Sequence, residues 1–371
     1  MKLNKKVKRN LITLAVVVVA VITYVEGGKF LDRKFNQDYN IESIVGKDRY
    51  ETSVLANELE WEKSDEAILM NTNSISVAMT AVSYANRKDI PIFFTKQTEI
   101  SPYVWGRMKE LGVKKVYIVG GIRSITKSVE RAVQRVGAKT VRITENENSD
   151  MSLRIAEKLY KFKKFDTIAL TTEKSFGFAE GVSMAISSSR KNIPVIALDE
   201  KDLLDLVEFL DGKDIKKTYI VGDTNKLPST FEKLVPNPER ISGTDTYDFN
   251  RKIIEKFYDL KSVDQAIVIK GGTYVYGDKH PIGEFVNALS MANISADKNI
   301  PIIFTDENYL VESQEKFINE YGIKNLTSVG FILVRDKVLN PDRVRNLFGI
   351  ALVITSLVLL SRALRKKDKL V

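Results

Sequence analysis

Three stretches of this chain are near-copies of one another: KKVYIVGG at Lys114–Gly121, KKTYIVGD at Lys216–Asp223 and, more faintly, KNLTSVGF at Lys324–Phe331. A repeat constrains a fold more than any composition does, so other landmarks should recur in step with it. They do. DIPIFFT at Asp89 returns as NIPVIAL at Asn192 and as NIPIIFT at Asn299. IVGKDRYETSVLA at Ile44 is answered by RITENENSDMSLRIA at Arg142 and RISGTDTYDFNRKI at Arg240. The prolines Pro91, Pro194 and Pro301 lie 103 and 107 residues apart, and Lys114, Lys216 and Lys324 lie 102 and 108 apart. A period of about 100 residues exceeds any solenoid hairpin and suits a small domain.

Within the first period, short apolar runs alternate with segments of helical spacing. EAILMNT, IPIFFT, VKKVYIVGG and KTVRIT read as strands. ISVAMTAVSYANR has helical apolar spacing. SPYVWGRMKELG has Ser101 as N-cap, Pro102 in the first turn and Gly112 at the end; SITKSVERAVQRVG reads as a second capped helix, from Ser124 to Gly137. The strands are continuous apolar runs, so each belongs to a parallel sheet covered on both faces. The expected architecture is three tandem small α/β domains with parallel sheets. VYIVG, TYIVG and LTSVG should be equivalent strands, each central in its own sheet.

The ends read differently. The formal net charge is +9, but residues 1–10 carry five basic groups and residues 362–371 carry five against one acid, so residues 11–361 sum to zero. The body is therefore no polyanion binder by net charge, and no nucleic-acid partner is expected. Each basic tail abuts an uncharged apolar run, Leu11–Val25 and Leu347–Leu360. Both are short against the ~20 residues of a typical span. The first resembles a signal peptide without a good cleavage site and is read as a transmembrane signal anchor. The second, followed by RALRKKDK, is read as a transmembrane helix ending in the cytoplasm. The expected layout is a basic cytoplasmic tail (1–10), a signal anchor (11–25), repeats at 41–141, 142–239 and 240–345, a transmembrane helix (347–361) and a second basic cytoplasmic tail (362–371). Residues of about 30–340 then lie outside the membrane.

Catalytic signals are few. There is no cysteine and a single histidine, His280, so no thiolate metal site exists, and a Ser-His-Asp triad would have to use His280. No GxSxG elbow, dinucleotide fingerprint or P-loop occurs. No enzyme activity, cofactor or metal is expected. The residues suited to a ligand are of another kind. Gly120 and Gly121 end a strand at the carboxyl edge of a parallel sheet, where ligands of open α/β folds sit, and are either a phosphate-cradling turn or simply a structural one. Arg123, just past them, is either an anion contact or a solvated turn residue. Arg49 and Tyr50 either grip a glycan or brace one repeat on the next. Lys226 would join Arg49 and Arg123 if the three converge in space. KGGTYVYGDKHPIGE (Lys270–Glu284) offers Tyr274, Tyr276, Lys279 and His280 to a sugar, or is a lengthened surface loop.

The ordered set IVGKDRYETSVLA, an Ile-Pro strand, LGVKKVYIVGGIRSIT and VRIT resembles the cell-wall-binding repeat of type 2. That module occurs in surface proteins of clostridia and related Gram-positive bacteria, usually in three copies. The resemblance covers about residues 41–345 and is strongest in the first repeat. It implies small α/β domains about a pseudo-threefold axis that attach proteins, without catalysis, to anionic cell-wall polysaccharide, teichoic-acid-like in chemistry. It also implies an acidic position at the start of the first long helix. Counting back from the prolines places Val77, Glu180 and Asn287 there, and Asn287-Ala288-Leu289 comes closest to the family's Asp-Ala-Leu. The expected function is a membrane-anchored, cell-wall-facing envelope protein of the S-layer-associated kind. The alternative is an envelope scaffold whose worn repeats hold other proteins.

Overall fold

The structure, a computed structural model, describes residues 39–143, 151–189, 191–271, 281–305 and 308–334. Among them, no helix is long and apolar enough to cross a membrane. The two apolar runs expected to span one, Leu11–Val25 and Leu347–Leu360, lie outside the described residues, as do Tyr274 and Lys279.

In chain order the first repeat contains β1 (Asn40–Ile44), α1 (Arg49–Glu58), β2 (Glu66–Asn71), α2 (Ile75–Lys88), β3 (Ile92–Thr95), α3 (Pro102–Glu110), β4 (Lys115–Ile118), α4 (Lys127–Gln134) and β5 (Lys139–Arg142). The second contains α5 (Met151–Phe162), β6 (Thr167–Thr172), α6 (Phe178–Ser189), β7 (Val195–Leu198), α7 (Leu203–Leu210), β8 (Lys217–Val221) and β9 (Pro238–Ile241). The third contains α8 (Thr246–Phe257), β10 (Gln265–Lys270), α9 (Pro281–Ser290), α10 (Ala292–Lys298), β11 (Ile302–Thr305), α11 (Glu312–Glu320) and β12 (Asn325–Val329).

These strands form three four-stranded, all-parallel sheets: β3-β2-β4-β5, β7-β6-β8-β9 and β11-β10-β12-β1. The segments expected to be equivalent, β4, β8 and β12, hold the same inner place in each. Strands such as β2 and β3 are buried runs (Ile68–Met70, Phe93–Phe94), covered on both faces, whereas the edge strands β1, β5 and β9 are part-exposed.

The sequence period and the sheets are out of phase by one strand. The third sheet is completed by β1, which opens the chain's described part and pairs with β12 from Asn40↔Asn325 to Ile44↔Val329. Asn40 Nδ2 donates to Asn325 Oδ1 at 2.8 Å, and the Ser43 and Ser328 hydroxyls share a hydrogen bond of 2.8 Å. The three repeats therefore close into a ring.

Inside the ring α2, α6 and the α9–α10 pair pack on one another. Gly181 of α6 permits that approach: a Cβ there would lie 2.5 Å from Met79 Sδ of α2. Each repeat also reaches into the next. Thr80 Oγ1 donates to the Val195 carbonyl at 2.6 Å, Asn250 Nδ2 to Ser183 Oγ at 2.9 Å, and Asn293 Nδ2 to the Ile90 carbonyl at 2.9 Å. The last of these crosses the seam from repeat 3 to repeat 1. The central helices end alike, at Asp89, Asn192 and Asn299, with φ of +54°, +59° and +56°. Asp and Asn tolerate this left-handed geometry best after glycine, which explains the recurring (Asp/Asn)-Ile-Pro landmark.

Two details differ from the sequence reading. The second capped helix of repeat 1 starts at Lys127, not Ser124. Ser124 and Ile125 donate their N–H groups to the Gly121 carbonyl in a turn, and Thr126 donates to Gln97, so a neighbouring loop holds the chain before the helix begins. In repeat 2 that helix is replaced by a short helical turn at Phe231–Lys233. Pro228, Pro236 and Pro238 leave no room for a longer one.

Candidate functional site

At the carboxyl edge of each sheet a strand ends in a left-handed glycine, Gly120, Gly222 or Gly330, with φ of +106°, +93° and +85°. At these three corners Gly120 lies against Ser124, Gly222 against Lys226 and Gly330 against Asn287 of α9. In repeat 1 the Gly120 carbonyl accepts Arg142 Nη1 at 2.8 Å, and Arg142 pairs with Glu130 at 2.9 Å. In repeat 2 the Gly222 carbonyl accepts Arg240 Nη1 at 2.8 Å, and Arg240 pairs with Glu232 at 2.6 Å. The third repeat places Ser43 in that register, against Ser328. Arg142 and Arg240 were not singled out as site residues, although both head their landmark. Their shared offset was the signal: an arginine at one register of an edge strand can pin the adjacent glycine turn.

The acidic helix position aligned from the sequence is where the corners diverge. Val77 is buried, one turn past Ser74, whose hydroxyl lies 3.4 Å from that of Ser124. Glu180 is buried and ion-paired with Lys226. Asn287 is buried next to Gly330, donates to Glu284 at 3.4 Å, and its Oδ1 finds no donor among the described residues. Lys226 thus belongs to the edge of repeat 2 with its charge matched by Glu180, whereas Arg49 and Arg123 belong to repeat 1.

The Arg-Tyr-Glu-Thr segment is intact only at Arg49–Thr52; Ser149–Ser152 and Thr246–Phe249 stand in its place in the other repeats. Asp48 caps α1 by accepting the N–H groups of Tyr50 and Glu51, both at 2.9 Å, and Glu51 reaches back to the Lys47 N–H at 2.5 Å. Thr52 bonds the Asp48 carbonyl at 3.0 Å and the Gly46 N–H at 3.1 Å. In repeat 3 Asp245 and Asp248 play the same parts at α8. Three of the four motif residues therefore serve a capping box and its packing. Arg49 is the exposed one, and Thr246 stands in its place in repeat 3. Arg49 and Arg123 flank one loop: Lys96 is close enough to Asp48 and Tyr50 to interact electrostatically, and Gln97 Nε2 donates to the Arg123 carbonyl at 2.5 Å. Gly120 and Gly121 are buried, and the N–H groups of Ser124, Ile125 and Thr126 are already bonded to protein carbonyls. The turn is thus closed by the protein's own groups.

The model of the Cell wall binding domain 2 (CWB2) family matches residues 43–130 and 240–342, the first and third repeats. The chain belongs to the CWB2 family. Among curated proteins it is similar to the N-acetylmuramoyl-L-alanine amidase LytC of Bacillus subtilis, 22% identical over 294 residues, which is 79% of this chain and 56% of that one. It is also similar to the Amidase enhancer of the same organism, 25% identical over 268 residues, 71% of this chain and 34% of that one. The CWB2 chain thus spans about half the length of the first of these and a third of the second. Among solved structures it resembles Cwp6 from Clostridium difficile, with a TM-score of 0.69, 20% identity and coverage of 79% of this chain and 46% of that one. Cwp8 from the same organism gives a TM-score of 0.66, 26% identity and coverage of 81% and 51%. The second repeat, which the family model passes over, carries the same sheet as its neighbours.

Proposed function

We propose that this protein is a non-catalytic component of a Gram-positive cell envelope whose three CWB2 repeats bind an anionic, teichoic-acid-like wall polysaccharide. The runs 11–25 and 347–361 anchor it in the membrane, with both basic ends in the cytoplasm and the repeats facing the wall. The observation that carries this reading is the match of the family model to repeats 1 and 3 within a complete three-sheet ring. Arg49 and Arg123, exposed at the carboxyl edge of repeat 1, are the proposed contacts there, and Asn287, Tyr274 and Lys279 are proposed as further ones. Lys226 contributes less, because Glu180 already matches its charge.

A second reading, a scaffold that holds other envelope proteins, is favoured by one feature. Helix α7 leaves Leu204 83% exposed and Val207 46% exposed on one apolar face. Sedimentation of the full-length chain with isolated walls over a salt series separates the two. Polymer binding is lost when the anionic polymer is stripped from the walls and weakens as salt rises. Binding that ignores both treatments supports the scaffold.

A further inference from the structure

Opposite the glycine corners, at the amino edge of the second sheet, an open cleft of about 410 Å³ lies between repeats 1 and 2. Arg87, from the end of α2, enters it from repeat 1. Lys163 and Lys164, past the end of α5, and Lys191, past α6, enter it from repeat 2. None of these four cations has an acidic partner among the described residues. The carboxylates in the cleft are Asp166 and Asp214; Asp214 pairs with Lys216 at 3.4 Å, and Asp166 accepts the Thr167 hydroxyl at 2.9 Å. Arg87 Nε is buried without an acceptor among the described residues, and burial pulls its guanidinium below the ordinary arginine pKa. An uncompensated, partly desolvated guanidinium favours an incoming anion.

Basic residues also offset the negative ends of helices, and three helices end here. That requirement does not explain the cluster. At the seam between repeats 3 and 1 the same helix ends meet, yet Asp297 stands where Arg87 does, and Glu60 and Asp89 accompany it. The fold tolerates an acid at this position, so the backbone plan alone does not require the cation excess of the first cleft. It is also the local basic cluster that a body of zero net charge otherwise conceals.

We infer that the cleft of Arg87, Lys163, Lys164 and Lys191 is a binding site for a phosphodiester-bearing wall polymer, at the edge of the sheet opposite the glycine corners. The planar guanidinium fork suits a phosphate group, and the three ammonium groups surround it as point charges. Tyr160, stacked edge-on to Phe165 at a centroid distance of 5.1 Å, supplies an aromatic wall for the polymer's sugar or polyol unit. This site rests on the polymer-binding reading above and says where that polymer lies.

The test is sedimentation of the full-length chain with walls that carry glycerol-phosphate polymer and with the same walls stripped of it by acid. The variant Lys163→Ala/Lys164→Ala/Lys191→Ala is compared with Lys109→Ala/Lys233→Ala/Lys316→Ala, which removes equal charge from exposed positions elsewhere. All six lysines are exposed, so both variants should keep the parent's thermal midpoint. The expected result is a loss of about tenfold or more in affinity for polymer-bearing walls in the cleft variant and little change in the control. Equal losses in both variants overturn the site, because net charge alone would then explain binding. Undiminished binding by the cleft variant overturns the site and leaves the polymer reading standing. Failure of the parent itself to bind polymer-bearing walls overturns both.

Discussion

At the junction of repeats 1 and 2 the end of α2 brings Arg87 into one cleft with Lys163 and Lys164; at the seam of repeats 3 and 1 the matching end of α10 brings the Asp297 carboxylate close to Glu60. The chain runs covalently through the first junction, whereas the second is held by the β1–β12 ladder, by Asn293 on the Ile90 carbonyl and by Lys298 Nζ on the Leu59 carbonyl at 3.3 Å. The same helix ends meet in both places with opposite charge. The backbone plan therefore needs caps and apolar contacts there and leaves the charge to function or to tuning. Glu60 shows the second option. Burial foremost, then Asp297 and Asp89, pushes its carboxyl up to about 7, although Lys298 opposes the shift.

The contrast can be broken most severely at the seam's backbone. Asn40 donates its N–H to Lys324, and the ladder's alternation gives Glu42 the next donor. Glu42→Pro removes that bond and should lower stability by about 3 kcal/mol, read as a shifted midpoint in denaturant. An unchanged midpoint would mean the seam does not hold the ring. At the other junction, Gly181→Val pushes a branched side chain against Met79 and Thr171, and should cost about 1–3 kcal/mol by the same measurement.

The charge itself is tested by pH. Glu60 has a folded pKa of about 7, above its unfolded value of 4.5, so the folded state binds more protons between those values. Its contribution is fully present below pH ~4.5 and is lost as pH rises through about 7. After allowance for solvent screening at this half-buried site, the loss should be about 1 kcal/mol. Glu60→Gln mimics the protonated form. Stability measured from pH 4.5 to 8 should then fall less steeply than in the parent, and a slope unchanged by the substitution would remove Glu60 from the seam's energetics. The smallest effect is expected at the carboxyl edge of repeat 1. Arg49→Ala/Arg123→Ala should change stability by under about 0.5 kcal/mol while weakening polymer binding. Loss of the fold would instead make the two arginines braces.

How much of this was legible beforehand depended on whether the cause was local. The left-handed positions Asp89, Asn192 and Asn299, and the capping residues Asp48 and Asp245, act within a few residues of themselves, so their landmarks could be read from the chain. The inner place of β4, β8 and β12 followed from apolar runs repeated in order. Closure by β1 was not legible, because NIESI is a short, half-exposed edge segment whose partner lies 285 residues away. The start of α4 was misplaced because Gln97, from another loop, holds Thr126. The Lys226–Glu180 pair and the basic cleft escaped for a like reason: both join residues from separate elements, and sequence order carries no record of their proximity.

Ring closure is tested most directly at Ser43 and Ser328, whose hydroxyls meet at 2.8 Å in paired strands at the seam. The chain has no cysteine, so Ser43→Cys/Ser328→Cys introduces the only two thiols, and no native bridge can compete. Under mild oxidation of dilute protein, peptide mass mapping should find the two cysteines joined within one chain in most molecules. Free thiols, or bridges found only between chains, would contradict a ring closed by β1 on β12.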